Sequence, residues 1–239
     1  MRNMSEYQMV RSNNKRIVWE LMLMALLVCF SARALAKPDP LKLIQSNYWY
    51  EDDDIRAVLE YRVGKTAYIA PALPLESKEL IIDILVSSIM EAKTKGCALI
   101  PVNLNNSHWA ALAIKTDDSG RIKAIYNDSL GNSSISLATG LLLSGDLAKI
   151  DPTIEWVDLE VTQQSDGSSC GAFTAENLIT IAKLNISNMN IEELRNALSY
   201  NKDASAIRQL HYQNLTHIHK NKIKCTFTSE FLANGKCLV

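Results

Sequence analysis

At Gly96 the apolar period of this sequence changes from helical to extended, and that switch limits the folds open to it. Upstream, the acid run Glu51-Asp52-Asp53-Asp54 leads into Ile55, Val58, Leu59 and Val63 before Gly64 stops the period. Acids in a first turn complement the helix dipole, so the run reads as a helix start rather than a metal site. Ser77 caps a second helix with Leu80, Ile81, Ile84, Leu85 and Ile89 on one face, and Gly96 lies just past its end. Between the two, 68–75 holds Pro71 and Pro74 and reads as loop. Downstream, 97–102, 109–114, 121–126 and 154–159 are short and apolar or alternating, parted by Asn105-Asn106-Ser107 and Asp117-Asp118-Ser119-Gly120. These are expected as strands of one sheet. A helix over 134–150, weakened by Gly140 and Gly145, interrupts them. Ala172, Ala175, Ile179 and Ala182 then fall at helical spacing after Cys170, and two more helices are expected at 191–200 and 204–215. Helices, a sheet, then helices again describe an α+β domain.

A chain of 239 residues has room for one packed domain and an extension, not for two domains of usual size. With 47% hydrophobic and 21% charged residues it can bury a core. A formal net charge of -1 offers no basic field for nucleic acid, which sets that class of partner aside. The segment 17–36 stands apart from the domain. Lys15 and Arg16 precede an apolar stretch from Leu21 to Phe30, and Ala34-Leu35-Ala36 supplies the small-x-small pattern of a cleaved export signal, so that a mature chain would start near Lys37. The same segment also reads as a single membrane anchor, although Glu20 and Arg33 leave it short of the roughly 20 apolar residues a span needs. A buried or amphipathic N-terminal helix is the third reading. If the leader goes, Cys29 goes with it and leaves Cys97, Cys170, Cys225 and Cys237. Either Cys225 pairs with Cys237 or all four are free thiols. No CxxC or Cys/His ligand spacing occurs, so no metal site is expected.

The candidate chemistry is that of a thiol. Cys170, in Gly167-Ser168-Ser169-Cys170-Gly171, opens a helix, where backbone N–H groups and the dipole lower a thiol pKa. His108 lies between a turn and a strand, and Asp128 ends the next strand, so adjacent strand ends can set the carboxylate against the imidazole. Gln164 sits six residues before Cys170 on the loop entering the helix, in reach to pair its side-chain amide with the Cys170 N–H as an oxyanion hole. Each residue alone has an ordinary explanation: a packed cysteine, a turn aspartate, a histidine of no special role like His211, His217 and His219.

Taken together, Ser107-His108-Trp109-Ala110, Tyr126-Asn127-Asp128-Ser129-Leu130-Gly131 and Gln163-Gln164-Ser165-Asp166-Gly167-Ser168-Ser169-Cys170-Gly171 resemble the Ulp1-like, adenain-related cysteine peptidases, in that family's His, Asp, Gln, Cys order. The resemblance extends from about Tyr48, where Tyr48-Trp49-Tyr50 is similar to the family's N-terminal tryptophan segment, to about Leu215. It implies an adenain-type, papain-like fold with a central mixed sheet flanked by helices and the nucleophile at a helix N-terminus. It implies His108 as base, Asp128 as its orienter, Gln164 as oxyanion donor and Cys170 as nucleophile, with Trp109 and Trp49 beside the tail of the substrate. Core packing is the alternative for both tryptophans.

By the same resemblance the chain is a cysteine isopeptidase that removes ubiquitin or a ubiquitin-like protein, with no metal or organic cofactor, and is expected as a monomer. Ser169 stands where the SUMO proteases commonly carry Asp, which tilts the reading toward ubiquitin and the bacterial effector branch. SUMO or NEDD8 proteolysis, an acetyltransferase of the related effectors, and an inactive ubiquitin-binding module are the alternatives. The expected organisation is a leader or anchor over 1–36, a peptidase domain over 37–220 and a tail over 221–239. The setting is then an exported bacterial protein acting in a host cell, or a membrane-anchored enzyme with a cytosolic catalytic domain.

Overall fold

The acid run starts the first long helix of the protein. In the computed structural model the described residues are 39–131, 133–199 and 203–231, with backbone alone beyond 217, and all lie in one unit, Asp39–Val239. After a short helix α1 (Pro40–Leu43), α2 spans Asp52–Val63. Glu51 and Asp54 close a capping box, and Asp54 also accepts the Tyr48 hydroxyl at 2.7 Å. One face of α2 buries Ile55, Val58, Leu59 and Val63. Helix α3 (Lys78–Lys95) ends where Gly96 takes the left-handed conformation at φ +80°. The stretch 68–75, expected as loop, contains two-residue strands β1 (Tyr68–Ile69) and β2 (Leu73–Pro74). Pro74 sits in β2 without loss because β2 pairs only with β3, at an edge where proline's missing N–H is tolerated.

Strands β3 (Cys97–Leu104), β4 (His108–Thr116) and β5 (Ile122–Asn127) form an antiparallel core, and β6 (Glu155–Asp158) runs parallel to β5. With β1 and β2 parallel to β3, the six-stranded sheet is mixed, in the order β1-β3-β4-β5-β6. Side chains alternate between two apolar layers. Leu99, Trp109, Ala111, Ala113 and Ile125 face one, with α2 and α5 (Cys170–Lys183) packed on it. Ala98, Ile100, Ala110, Leu112, Ile114, Ala124 and Tyr126 face the other, with α3 and α4 (Ser134–Ile150). Burial on both faces explains why these strands read as continuous apolar runs. A fully buried Leu112 or Ile100 contributes about 1.5–3 kcal/mol relative to exposure.

Helix α4 turns Ile135, Leu137, Leu141 and Leu142 to the surface and buries Ser136, Thr139 and Asp146 beside Leu143 and Leu147. Helix α6 (Ile191–Leu198) is followed by α7, which runs Ala204–Phe231 rather than stopping near 215. No Pro or Gly interrupts 204–231, so loss of the apolar period there was not a helix end. The helix therefore crosses the tail boundary expected at 220. The segment 17–36, read as leader or anchor, lies outside the described residues, as do Cys29 and Cys237 and the side chain of Cys225. Among the described residues no helix is long and apolar enough to cross a membrane.

Candidate active site

His108 is the first residue of β4, after a turn in which Asn105 and Asn106 both take φ +53°. Asp128 follows the last residue of β5, and β4 and β5 register Ala111 opposite Asn127. Two antiparallel strand ends thus lie side by side, and the His108 Nε2 meets Asp128 Oδ1 at 2.6 Å. The same carboxylate oxygen accepts the Leu130 N–H at 2.9 Å, while Oδ2 is buried with no hydrogen-bond partner among the described residues. Gly131 completes the turn at φ +70°, and a Cβ there would fall 2.0 Å from Thr162 Oγ1. Only glycine satisfies both the backbone and the space.

Cys170 is the first residue of α5, and its side chain lies near enough to His108 to help raise that ring's pKa. With Nε2 committed to Asp128, the ring nitrogen left for sulfur is Nδ1. Burial disfavours a charged imidazole, but Asp128 and Cys170 outweigh it and raise the His108 pKa to about 9. His108 therefore rests as imidazolium at neutral pH. Ser169, at the N-cap, makes no side-chain cap bond; Asp166 does that work instead, its Oδ1 accepting the N–H groups of Ser168 and Ser169, both at 2.8 Å. Burial pushes the Asp166 carboxyl up, yet these donors and the Arg208 charge hold it below its ordinary value. At Gly171 a Cβ would come within 2.6 Å of Tyr50 Cβ and 3.3 Å of Trp109 Cδ1. The glycine next to the thiol is needed so that the Tyr50 segment can lie directly on the helix start.

Gln164 is 6% exposed at the same end of the sheet. Its Nε2 donates to the Asp166 carbonyl at 2.6 Å and its Oε1 accepts the Ser129 hydroxyl at 2.9 Å. A carbonyl only accepts, so Nε2 must face Asp166, and one amide hydrogen remains for another acceptor. The backbone N–H groups of Gln163 and Gln164 both donate to the Ser129 carbonyl, binding this loop to the turn that carries Asp128. Beneath it, Gln163 and Asn177 exchange reciprocal amide bonds at 2.9 and 2.8 Å, and Asn127 accepts the Val161 N–H at 2.9 Å. This buried amide network, 0% exposed at Asn127 and Asn177, joins β5, the loop and α5. Sequence reasoning missed it, because an Asn or Gln inside a motif gives no sign of which distant amide it will meet.

The two tryptophans divide. Trp109 is buried at 4% exposure and gives its indole N–H to the Tyr50 carbonyl at 2.9 Å, which locks the 48–50 segment over α5. Trp49 is 39% exposed, so the core alternative fails for it, and it lines an open groove of about 600 Å³ with Tyr48, Tyr50, Asn103 and Asn106. The groove borders the turn before His108. Two buried groups went unread in the sequence. Arg208 on α7 reaches this end of the molecule, and His211, one turn on, meets the Tyr50 hydroxyl at 3.2 Å and Glu176 at 3.3 Å. Both lie on a helix whose pattern looked unremarkable.

Comparison with known proteins bears on the fold that carries this site. Residues 96–198 match the family model described as RickCE-like, catalytic domain. None of the curated proteins matches the chain. The structure is similar to that of Rickettsia bellii effector protein RickCE, with 20% sequence identity and a TM-score of 0.56, covering 71% of this chain and 95% of that one. It is also similar to the ASFV pS273R protease, with 10% identity and a TM-score of 0.50, covering 79% and 78%. At these identities the likeness is one of fold. Residues 96–198, the stretch that holds His108, Asp128, Gln164 and Cys170, are similar to the RickCE-like catalytic domain, and the α+β fold is that of the Ulp1- and adenain-type cysteine peptidases.

Proposed function

We propose that the protein is a cysteine isopeptidase that releases ubiquitin or a ubiquitin-like protein from lysine side chains. The observation that carries this reading is the continuous arrangement of the Cys170 thiol, the His108 ring and the Asp128 carboxylate, with the His108 pKa raised to about 9. An imidazolium beside the sulfur is the partner that a thiol-protease nucleophile uses. The thiolate attacks the carbonyl carbon of the modifier's C-terminal glycine. The developing oxyanion takes hydrogen bonds from the free amide hydrogen of Gln164 and from the Cys170 N–H, which at the first turn of a helix has no acceptor of its own. Imidazolium His108 gives its proton to the lysine amine as the C–N bond breaks, leaving a thioester. The neutral ring then takes a proton from water, the hydroxyl adds to the thioester carbonyl, and the C–S bond breaks to return the thiolate and imidazolium and to release the glycine carboxylic acid, which ionises in water. The Trp49 groove would seat the extended tail, a polar and aromatic channel for a segment of small residues. We read the setting as a host cell, from the RickCE-like family match.

The test is reaction of the full chain with ubiquitin, SUMO and NEDD8 that each carry a C-terminal electrophile. A covalent adduct on Cys170 with ubiquitin, and with neither of the others, is the expected outcome. Selective adducts with SUMO or NEDD8 would reassign the modifier, and no adduct with any of the three would overturn the reading.

A further inference from the structure

Arg208 has the largest of the fully buried side chains, at 1% exposure. Its guanidinium meets three separate segments. Nη1 donates to the Leu43 carbonyl at 3.3 Å; Nη2 donates to the carbonyls of Tyr48 at 2.8 Å and Ser168 at 3.0 Å and to Ser169 Oγ at 3.3 Å. The cation also lies 5.2 Å from the Tyr50 ring centroid. Filling space alone would favour an apolar residue, because a buried guanidinium is costly unless its donors are used; here Nη1 and Nη2 are used, while Nε is buried with no hydrogen-bond partner among the described residues. A planar fork that satisfies acceptors on three strands of chain fixes their mutual geometry.

Two of those acceptors belong to the turn that presents Cys170. Asp166 holds the N–H groups of Ser168 and Ser169 from one side, and Arg208 holds the Ser168 carbonyl and Ser169 hydroxyl from the other. The peptide plane between Ser168 and Ser169 is thus gripped on both edges, and with it the direction of the next N–H, that of Cys170. A third acceptor, the Tyr48 carbonyl, sits beside Trp49 in the groove. We propose that Arg208 is the positioning residue of the active site: it locks α7, the groove-lining Tyr48 segment and the Cys170 turn into one frame, so that a tail in the groove meets the thiol and the Cys170 N–H in register. The inference rests on the isopeptidase reading above.

The test compares Arg208→Lys and Ser169→Ala with the parent, as full chains, on ubiquitin, SUMO or NEDD8 bearing a C-terminal fluorogenic amide, whichever the parent cleaves. Alkylation of Cys170 by iodoacetamide, followed by mass spectrometry of its peptide, runs alongside. A small alkylator needs the thiolate but no oxyanion donor. Lysine keeps the charge and loses the fork, so kcat should fall by about tenfold or more while KM and the Cys170 alkylation rate stay within about twofold. Ser169→Ala removes a single acceptor and should lower kcat by about threefold or more in the same pattern. A kcat within twofold of the parent in both folded variants would overturn the proposal, as would an effect confined to the melting temperature. Should Arg208→Lys not fold, Ser169→Ala decides alone. A parent that cleaves none of the substrates and resists alkylation at Cys170 overturns the isopeptidase reading, and this inference with it.

Discussion

Replacing Asp128 by Asn keeps the shape beside His108 and removes the charge. In the native site the rise of the His108 pKa from 6.5 to about 9 corresponds to about 3 kcal/mol of net preference for imidazolium over imidazole. Burial works against that preference, so the favourable part, from Asp128 and Cys170, is larger than the net. Asp128→Asn deletes the Asp128 charge and leaves the burial and the Cys170 contribution, and the His108 midpoint should fall clearly below 9. The sign for stability follows. A raised pKa in the folded state means that His108 stabilises the fold fully below about pH 6.5, progressively less up to about 9, and not above it. The stability gap between parent and Asp128→Asn should accordingly be widest near pH 6 and close as the pH approaches 9. Titration of the His108 ring protons by NMR reads the midpoints, and urea unfolding at pH 6, 7.5 and 9 reads the gap. On the proposed mechanism kcat/KM should also fall by about 10²- to 10⁴-fold at neutral pH. A His108 midpoint that stays near 9 in the variant, or a stability gap that widens with pH, would refute this reasoning.

The other expectations concern the donors, the groove and the helix start. Gln164→Ala should reduce kcat by about 10²- to 10³-fold with little change in KM, measured on a fluorogenic modifier amide, because the donor acts on the oxyanion rather than the bound substrate. Trp49→Ala should do the reverse, raising KM with kcat nearly kept, since its exposed ring lines the groove away from the reacting atoms. Gly171→Ala should lower stability by about 1–3 kcal/mol in urea titration, because the new methyl meets Tyr50 Cβ at 2.6 Å and the Tyr50 segment is held by Trp109 and Arg208.

Local patterns made the elements near the site legible. The acid run, Ser77 and Gly96 each mark a helix end by capping chemistry that acts within a few residues, and the structure has those ends. The hairpin of β4 and β5 has a short turn, so the closeness of His108 and Asp128 follows from strand pairing alone. What the sequence hides is chemistry between residues far apart. The Gln163–Asn177 amide pair, the Lys115 ammonium on the Ile181 and Ala182 carbonyls at the end of α5, and the Arg208 contacts with Leu43 and Tyr48 each join segments whose meeting depends on the finished fold. An Arg or Lys within an element reads as a solvated face until tertiary packing buries it. Trp49 and Trp109 show the same limit. Both are tryptophans beside a motif, yet only pairing of β3 with β4 puts Trp109 inside, while the loop before α2 leaves Trp49 on the groove.

The central claim is that Cys170 is the nucleophile, and cleavage of a ubiquitin–lysine isopeptide bond by parent and Cys170→Ala proteins, both shown folded by circular dichroism, tests it most directly. The variant is expected to keep the fold, since it loses only a sulfur at a helix end, and to lose all measurable cleavage. Cleavage at the parent rate by folded Cys170→Ala protein would contradict the account.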